Sequence, residues 1–246
     1  MSLSDYLIIP EWPAPANVRA LQTTRQGGVS VAPYASLNLG SHVGDAPLSV
    51  ARNRHLLSAL LPSEPVWLEQ VHGTVVADAD GAGCRPVADA CIARRGVCVV
   101  MTADCLPVLL CDRQGSVVGA AHAGWKGLAA GVIEATVQAM DVAPQNLIAW
   151  LGPAISRQAF EVGEEVRSTF VEADPEAAGA FMPGLPGKYL ADICMLARLR
   201  LNALGITQIY GGEQCTYGDP DRFFSYRRDG VTGRQGTFIW LEKSSR

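Results

Sequence analysis

Basic charge is scarce in this sequence. The net charge is −4 and only 18% of residues are charged, so sequence-independent nucleic-acid binding, which needs a basic surface, is not expected. No run of about eighteen apolar residues occurs, so no helix is expected to span a bilayer. Met1 to Pro15 has no positive segment followed by an apolar one, which argues against a secretory signal. No Cys-x-x-Cys pair occurs, leaving a zinc ribbon or thioredoxin-type motif unsupported. Internal repeats, low-complexity blocks and Gly/Ser linkers are missing too. One domain over 1–246 is the simplest organisation, with 48% hydrophobic residues available for a sizeable core.

The seven cysteines stand at 84, 91, 98, 105, 111, 194 and 215. An odd number in a chain without an export signal favours reduced thiols and a cytoplasmic location over a disulfide framework. Cys84, Cys91, Cys98 and Cys105 fall at even intervals. Gly96 and the β-branched run Val97–Val100 argue against a helix there, so the interval carries no structure.

Runs rich in apolar and β-branched residues predict strands at Tyr6–Ile9, Val18–Thr23, Val66–Val71, Val97–Thr102, Val108–Cys111, Val117–Ala121, Leu147–Leu151, Ile206–Tyr210 and Thr237–Leu241. Helices are predicted over Pro47–Leu61, with Asp45 near the N-cap and Pro47 near the first turn. Others are predicted over Leu128–Met140, Gly163–Glu172 and Tyr189–Leu204, the last stopped by Gly205. Asp174–Gly187, broken by prolines and glycines, reads as a surface loop. Strands and helices do not alternate, which favours a mixed α/β or α+β sheet sandwich over a barrel or doubly wound sheet.

Only four histidines occur: 42, 55, 72 and 122. His55, beside Arg52 and Arg54 in a helical stretch, reads as a plain surface residue. The other three have less ordinary neighbours. His72 follows the predicted strand Val66–Val71. Cys105 precedes Pro107, which cannot donate to a central ladder and so predicts an interrupted sheet. His122 ends a strand before Gly124-Trp125. Strand exits can converge on one point. Imidazole and thiolate suit zinc, and copper in second place. Three protein ligands leave one tetrahedral position open, the mark of a catalytic rather than a structural site.

The residues alone leave other readings open: three unrelated buried side chains, or a cysteine hydrolase with a Cys105 nucleophile, a histidine base and Asp104 orienting it. A saturated binding site with His42 or Asp104 as fourth ligand is a further alternative. Thr24-Arg25-Gln26-Gly27-Gly28 joins a cation to a flexible turn. Phe223-Phe224-Ser225-Tyr226-Arg227-Arg228 sets aromatics beside two guanidinium groups, which match phosphate and bases. Either segment also reads as a hairpin with solvated charges. Gly27-Gly28 fits neither a dinucleotide fingerprint nor a P-loop.

Several motifs occur together and in order. They are Ser36-Leu37-Asn38-Leu39-Gly40, His42-Val43-Gly44-Asp45, Asn53-Arg54, Gln70-Val71-His72-Gly73, Ala103-Asp104-Cys105-Leu106-Pro107, Ala121-His122-Ala123-Gly124-Trp125 and Ser225-Tyr226-Arg227-Arg228-Asp229-Gly230. The chain resembles the laccase-domain proteins, also described as polyphenol-oxidase-like or purine nucleoside phosphorylase proteins, from about Arg25 to the C-terminus. The resemblance implies a catalytic zinc on His72, Cys105 and His122. It also implies phosphorolysis of adenosine, inosine and methylthioadenosine, with adenosine deamination as a further activity. Its implied fold is a mixed α/β sandwich once likened to cysteine hydrolases. Purine nucleosides and inorganic phosphate are then the expected partners. Arg25, Asn38, Gln70 and Arg227 are candidate substrate contacts, and Asp104 a candidate acid. Copper polyphenol oxidation and cysteine-hydrolase editing of peptidoglycan precursors are the alternatives. Four histidines are too few for a usual multicopper centre. Lys126 departs from the arginine usual after Gly-Trp, keeping the charge but losing the fork.

Overall fold

The computed structural model describes residues 3–81, 83 and 85–242. Cys84 and the first residues of the Met1–Pro15 segment lie outside them. The strands are β1 (Leu7–Ile8), β2 (Val18–Thr23), β3 (Val76–Asp78), β4 (Ala90–Ala93), β5 (Val97–Thr102), β6 (Leu106–Asp112) and β7 (Val118–Ala123). They continue with β8 (Leu147–Leu151), β9 (Glu161–Gly163), β10 (Phe181–Pro183), β11 (Lys188–Ala191), β12 (Ile209–Gly211) and β13 (Gln235–Leu241). The helices are α1 (Pro47–Ser58), α2 (Trp125–Ala130), α3 (Val132–Met140), α4 (Glu164–Ala173), α5 (Ile193–Ala203) and α6 (Tyr226–Asp229).

A six-stranded mixed sheet runs β12-β8-β6-β7-β4-β3, and a four-stranded antiparallel sheet runs β1-β2-β13-β5. The alternation of side chains explains how they stack. Leu106, Val108 and Leu110 of β6 face α3 and α5, joining Val132, Ile133, Met140 and Leu196 in one core. Leu109 and Cys111 face the other way, against Cys98 and Val100 of β5 and Ile239 of β13. Val97, Val99 and Met101 turn outward beneath Leu37, Leu39 and Leu57. The order is therefore helices, large sheet, small sheet, then α1 and its leading loop. This is the mixed α/β sandwich expected. Strands buried on both faces read as unbroken apolar runs, which is why β5 and β8 are visible in the sequence. A third, small sheet runs β10-β11-β9. Among the described residues no helix is long and apolar enough to cross a membrane.

Several sequence expectations are corrected. Val66–Val71 is not a strand; it makes isolated bridges, Val66 to Cys98 and Glu69 to Val87. The Gln70 side chain substitutes for a ladder there, donating to the Met101 carbonyl and accepting from its N–H, both at 2.8 Å. Pro107 does not interrupt the sheet. It lies within β6, where its carbonyl accepts from Gly152 at 2.9 Å, one step beyond the last registered β6–β8 pair, Val108 with Leu151. Its missing N–H therefore falls where that ladder ends. The Leu128–Met140 helix begins earlier, at Trp125, and breaks at Gly131, whose φ of +99° only glycine adopts readily. Lys188–Ala191 is strand, and α5 starts at Ile193, capped by the Asp192 carboxylate accepting from Met195 N–H. Asp174–Gly187 is not a plain loop but carries a 3-10 turn, Pro175–Ala180, and β10. The paired part of Ile206–Tyr210 is shifted to Ile209–Gly211. Ala46, not Asp45, is the N-cap of α1.

Asp45 is used elsewhere, in a buried polar knot beneath α1. Its Oδ2 accepts from Ser30 at 2.6 Å and Asn38 at 2.9 Å. Asn53, fully buried, donates to Ser30 Oγ and the Ser36 and Asn38 carbonyls and accepts from Val29 N–H. Removing one member leaves its partners buried and unsatisfied, at about 1–3 kcal/mol each. Asn53→Ala should therefore destabilise the protein by roughly 2–4 kcal/mol in urea unfolding. A change below about 0.5 kcal/mol would show that water satisfies the knot.

Candidate metal centre

Strand register assembles the site. Ala90 of β4 pairs with Ala121 of β7, so Asp89, one residue earlier, meets His122. Leu106 of β6 pairs with Ala123, so Cys105, one residue earlier, meets Gly124. A Cβ on residue 124 would stand 2.8 Å from His72 Cδ2 and 3.0 Å from Cys105 Sγ, so the two side chains use the space that glycine leaves. His72 arrives from outside the sheet, on a loop, and in a left-handed conformation at φ +62°. It is held there by Asp89. The Asp89 carboxylate accepts from the N–H groups of Val71 (3.1 Å), His72 (2.9 Å) and Gly73 (2.6 Å). These bonds offset the roughly 1–2 kcal/mol that a left-handed non-glycine residue costs.

Asp89 also contacts the second imidazole. His122 Nδ1 donates to Asp89 Oδ1 at 2.8 Å, and both groups are buried. Nδ1 is thereby the protonated nitrogen of the neutral ring, and Nε2 is left as the ligand atom. Burial disfavours the Asp89 carboxylate, but the His122 and backbone donors outweigh it and hold its pKa below the usual range. Burial likewise opposes charge on Cys105 and His122, and their mutual attraction prevails. Without metal, the two imidazoles draw Cys105 down to about 6. The Cys105 thiolate and Asp89 raise His122 to about 9.

The donor set fits a metal. One atom each from His72, Cys105 and His122 lies within 4.8 Å of the others, and Sγ to His72 Nε2 is 3.8 Å. Ligands at about 2.0–2.3 Å from a tetrahedral ion are spaced roughly 3.5 Å apart, so small shifts would close the shell. Among the described residues the cluster stops at three, and neither His42 nor Asp104 joins as a fourth ligand. The Asp104 oxygens accept from Thr216 Oγ1 at 2.6 Å and Arg227 N–H at 2.7 Å. These bonds tie the start of β6 to the start of α6. His55 is exposed on α1, as expected.

Two cavities meet at Cys105. One, of about 330 Å³, is bordered by His42, Gln70, Tyr226 and Arg234 with the three donors. The other, of about 200 Å³, is bordered by Asp104, Trp125, Ile155, Phe160, Tyr226 and Arg227. Gln70 and Arg227 thus border the site. Arg25 and Asn38 border neither cavity. Arg25 donates to the Ala35 and Pro220 carbonyls and covers the Phe224 ring. Asn38 is buried, and its amide serves Gly40, Asp45 and Arg234 N–H. Phe223 and Phe224 are core residues, so they cannot stack on a ligand. Arg228 is committed to the Thr216, Tyr217 and Phe223 carbonyls. Lys126 also borders neither cavity. Asp89 and Arg234 were missed. A lone acid between alanines at the start of an apolar run was the available signal for Asp89; nothing local marked Arg234.

The sequence profile described as "Multi-copper polyphenol oxidoreductase laccase" matches residues 19–242. The chain belongs to this family. It is 55% identical to YfiH of Escherichia coli, named a purine nucleoside phosphorylase, over 96% of this chain and 98% of that one. A Pseudomonas aeruginosa protein with the same functional name is 54% identical, again over 96% and 98%. The crystal structure of a Neisseria meningitidis protein, 52% identical, superposes with a TM-score of 0.94 over 97% of this chain and all of that one. YlmD of Geobacillus stearothermophilus, 33% identical, gives 0.87 over 94% of each chain. The mixed α/β architecture is thus shared with solved bacterial proteins.

Two outcomes follow from the Asp89 arrangement. Asp89→Asn should weaken metal binding by about 10–100-fold in a chelator competition; unchanged affinity would mean that Asp89 orients nothing. In metal-free protein the thiolate absorbance of Cys105 should appear as pH rises through about 6. His122→Ala should move it up toward the ordinary thiol range of about 8.5, and an unmoved titration would refute the pairing.

Proposed function

We propose that this chain, as one domain, is a metal-dependent purine nucleoside phosphorylase of the bacterial cytoplasm. Its substrates are adenosine, inosine and methylthioadenosine with inorganic phosphate, and adenosine deamination is a side activity. The carrying observation is near-full-length similarity, at 54–55% identity, to two proteins named purine nucleoside phosphorylases. The geometry supports it with a three-donor cluster where two cavities meet, the larger bordered by Gln70 and Arg234 and the smaller by Trp125 and Phe160. The six described cysteines are free thiols, which suits a reducing compartment.

His72, Cys105 and His122 would hold the ion, and their N/S donors favour zinc. A zinc ion there would supply Lewis acidity beside the reacting sugar and base. The chain's own groups do the rest. In phosphorolysis a phosphate oxygen bonds to the anomeric carbon of the sugar while the bond to the purine nitrogen breaks. The pair of electrons leaves on the base, and sugar 1-phosphate forms. Asp89 fixes the His122 imidazole and the His72 backbone, and Asp104 accepts from Arg227 N–H in α6, which carries Tyr226 and Arg227 to the site. Gln70 and Arg227 are the retained candidates for substrate contact.

A second reading has a specific observation in its favour. Asp89, His122 and Cys105 reproduce the order acid, imidazole, nucleophile of a cysteine hydrolase. Copper polyphenol oxidation has less support, since a multicopper centre needs more imidazoles than the four present. Purified protein, inosine and phosphate should yield hypoxanthine, and yield none without phosphate. Stoichiometric zinc should be lost together with that activity in Cys105→Ser. Full activity after complete chelation would favour the thiol nucleophile, and phenol oxidation by copper-loaded protein without base release would refute the phosphorylase.

A further inference from the structure

The two cavities that share Cys105 and Tyr226 differ in chemistry. The smaller is walled by Trp125, Ile155, Phe160 and Ile193, with flat aromatic and branched aliphatic surface. The larger presents His42, Gln70 and Arg234 beside the three metal donors. A reaction that joins an anion to a sugar and releases a flat base needs these two environments, one on each side of the reacting carbon.

Arg234 is the distinctive group. Other guanidinium groups near the site are spent on the scaffold: Arg54 on the Leu39 carbonyl and the Trp67 ring, Arg228 on three carbonyls and Asp229. Arg227 reaches the Ala159 and Glu161 carbonyls and covers Phe160, on the apolar side. Arg234 uses Nη1 alone, toward the Thr232 and Gly233 carbonyls at 3.1 and 3.0 Å, with its guanidinium carbon 5.9 Å from the Tyr226 ring centre. Among the described residues no carboxylate forms an ion pair with it. Its backbone is anchored through N–H to Asn38 Oδ1 at 2.9 Å, and its stem lies against Gly40. A partly buried cation, fixed at its base, with Cys105 and Asp104 near enough to favour its charge but no carboxylate in direct contact, is matched to an incoming anion.

We propose that the site is bipartite, with Arg234 binding inorganic phosphate in the larger cavity beside the three donors and the purine ring lying in the smaller cavity against Trp125 and Phe160. The assignment rests on the phosphorylase reading for the identity of both ligands. It places the phosphate contact on a residue that borders the three donors. Tyr226, common to both cavities, then lies over the sugar, where the bond to the base breaks and the bond to phosphate forms.

The test compares metal-loaded wild type with Arg234→Gln, Arg234→Met and Trp125→Ala. Inorganic phosphate binding is measured by calorimetry without nucleoside, and the KM values for phosphate and inosine are measured separately. Bound zinc and Tm are recorded for each variant. Losing a charge-assisted contact should weaken phosphate binding and raise its KM about 10–100-fold in both Arg234 variants. The inosine KM should stay within about twofold, since that contact is untouched. Trp125→Ala should show the reverse pattern. Arg234→Met keeps the stem against Gly40, so it serves if Arg234→Gln loses zinc or stability. Phosphate affinity unchanged in zinc-replete Arg234 variants, or both KM values rising together, would overturn the assignment while leaving the phosphorylase reading intact. Arg234-dependent phosphate binding in a wild type that releases no hypoxanthine would do the opposite, keeping the anion subsite and removing the reaction.

Discussion

The site depends on one buried carboxylate. Asp89 has no solvent exposure, and it accepts from the His122 ring and from three successive backbone N–H groups. A buried charge is tolerable only when fully hydrogen-bonded, and here each satisfying donor has a second consequence. The imidazole bond sets the His122 tautomer. The backbone bonds hold a loop in a conformation that the His72 side chain disfavours. Two of the three side chains that could hold a metal, His72 and His122, are therefore positioned by the same group, and neither can be disturbed through Asp89 without the other.

The sheet supplies what Asp89 cannot. β4, β7 and β6 are adjacent strands buried on both faces, and their registers bring Asp89, His122, Gly124 and Cys105 together. A shift of one residue would turn every side chain of a strand to the opposite face. Both faces are packed into buried apolar clusters, so such a shift would also break two cores. Rigid strands fix two donors, and a loop tied down by Gln70 and Asp89 contributes the third. Sites built on packed elements with a supporting shell hold their geometry best.

The laccase name of the family and the phosphorylase name of its relatives point to different chemistry, and the donor set bears on the choice. Three possible donors around one point would suit Lewis-acid chemistry and would leave one tetrahedral position free. The metal-free state is itself poised, because the Cys105 thiolate and the His122 imidazolium stabilise each other between about 6 and 9. Ion binding would replace that internal pair, releasing the proton from Nε2.

The His72, Cys105 and His122 cluster, which could hold a metal ion, was legible in the sequence because histidine is rare, its chemistry is specific and the surrounding motifs stand in family order. The core strands were legible because double-sided burial leaves unbroken apolar runs, as in Val97–Thr102 and Leu147–Leu151. Pro107 and Val66–Val71 misled, since local preference does not report where a ladder ends or whether a partner strand exists. The roles of Arg25, Asn38 and Asp104 were equally hidden: a side chain's partners lie across the fold, and each of these is taken up by scaffold bonds. Asp89 and Arg234 became visible only in three dimensions. What the sequence alone determined was which residues could bind a metal; tertiary structure decided which neighbours orient them, because a hydrogen bond between residues 33 positions apart is set by strand register and not by spacing.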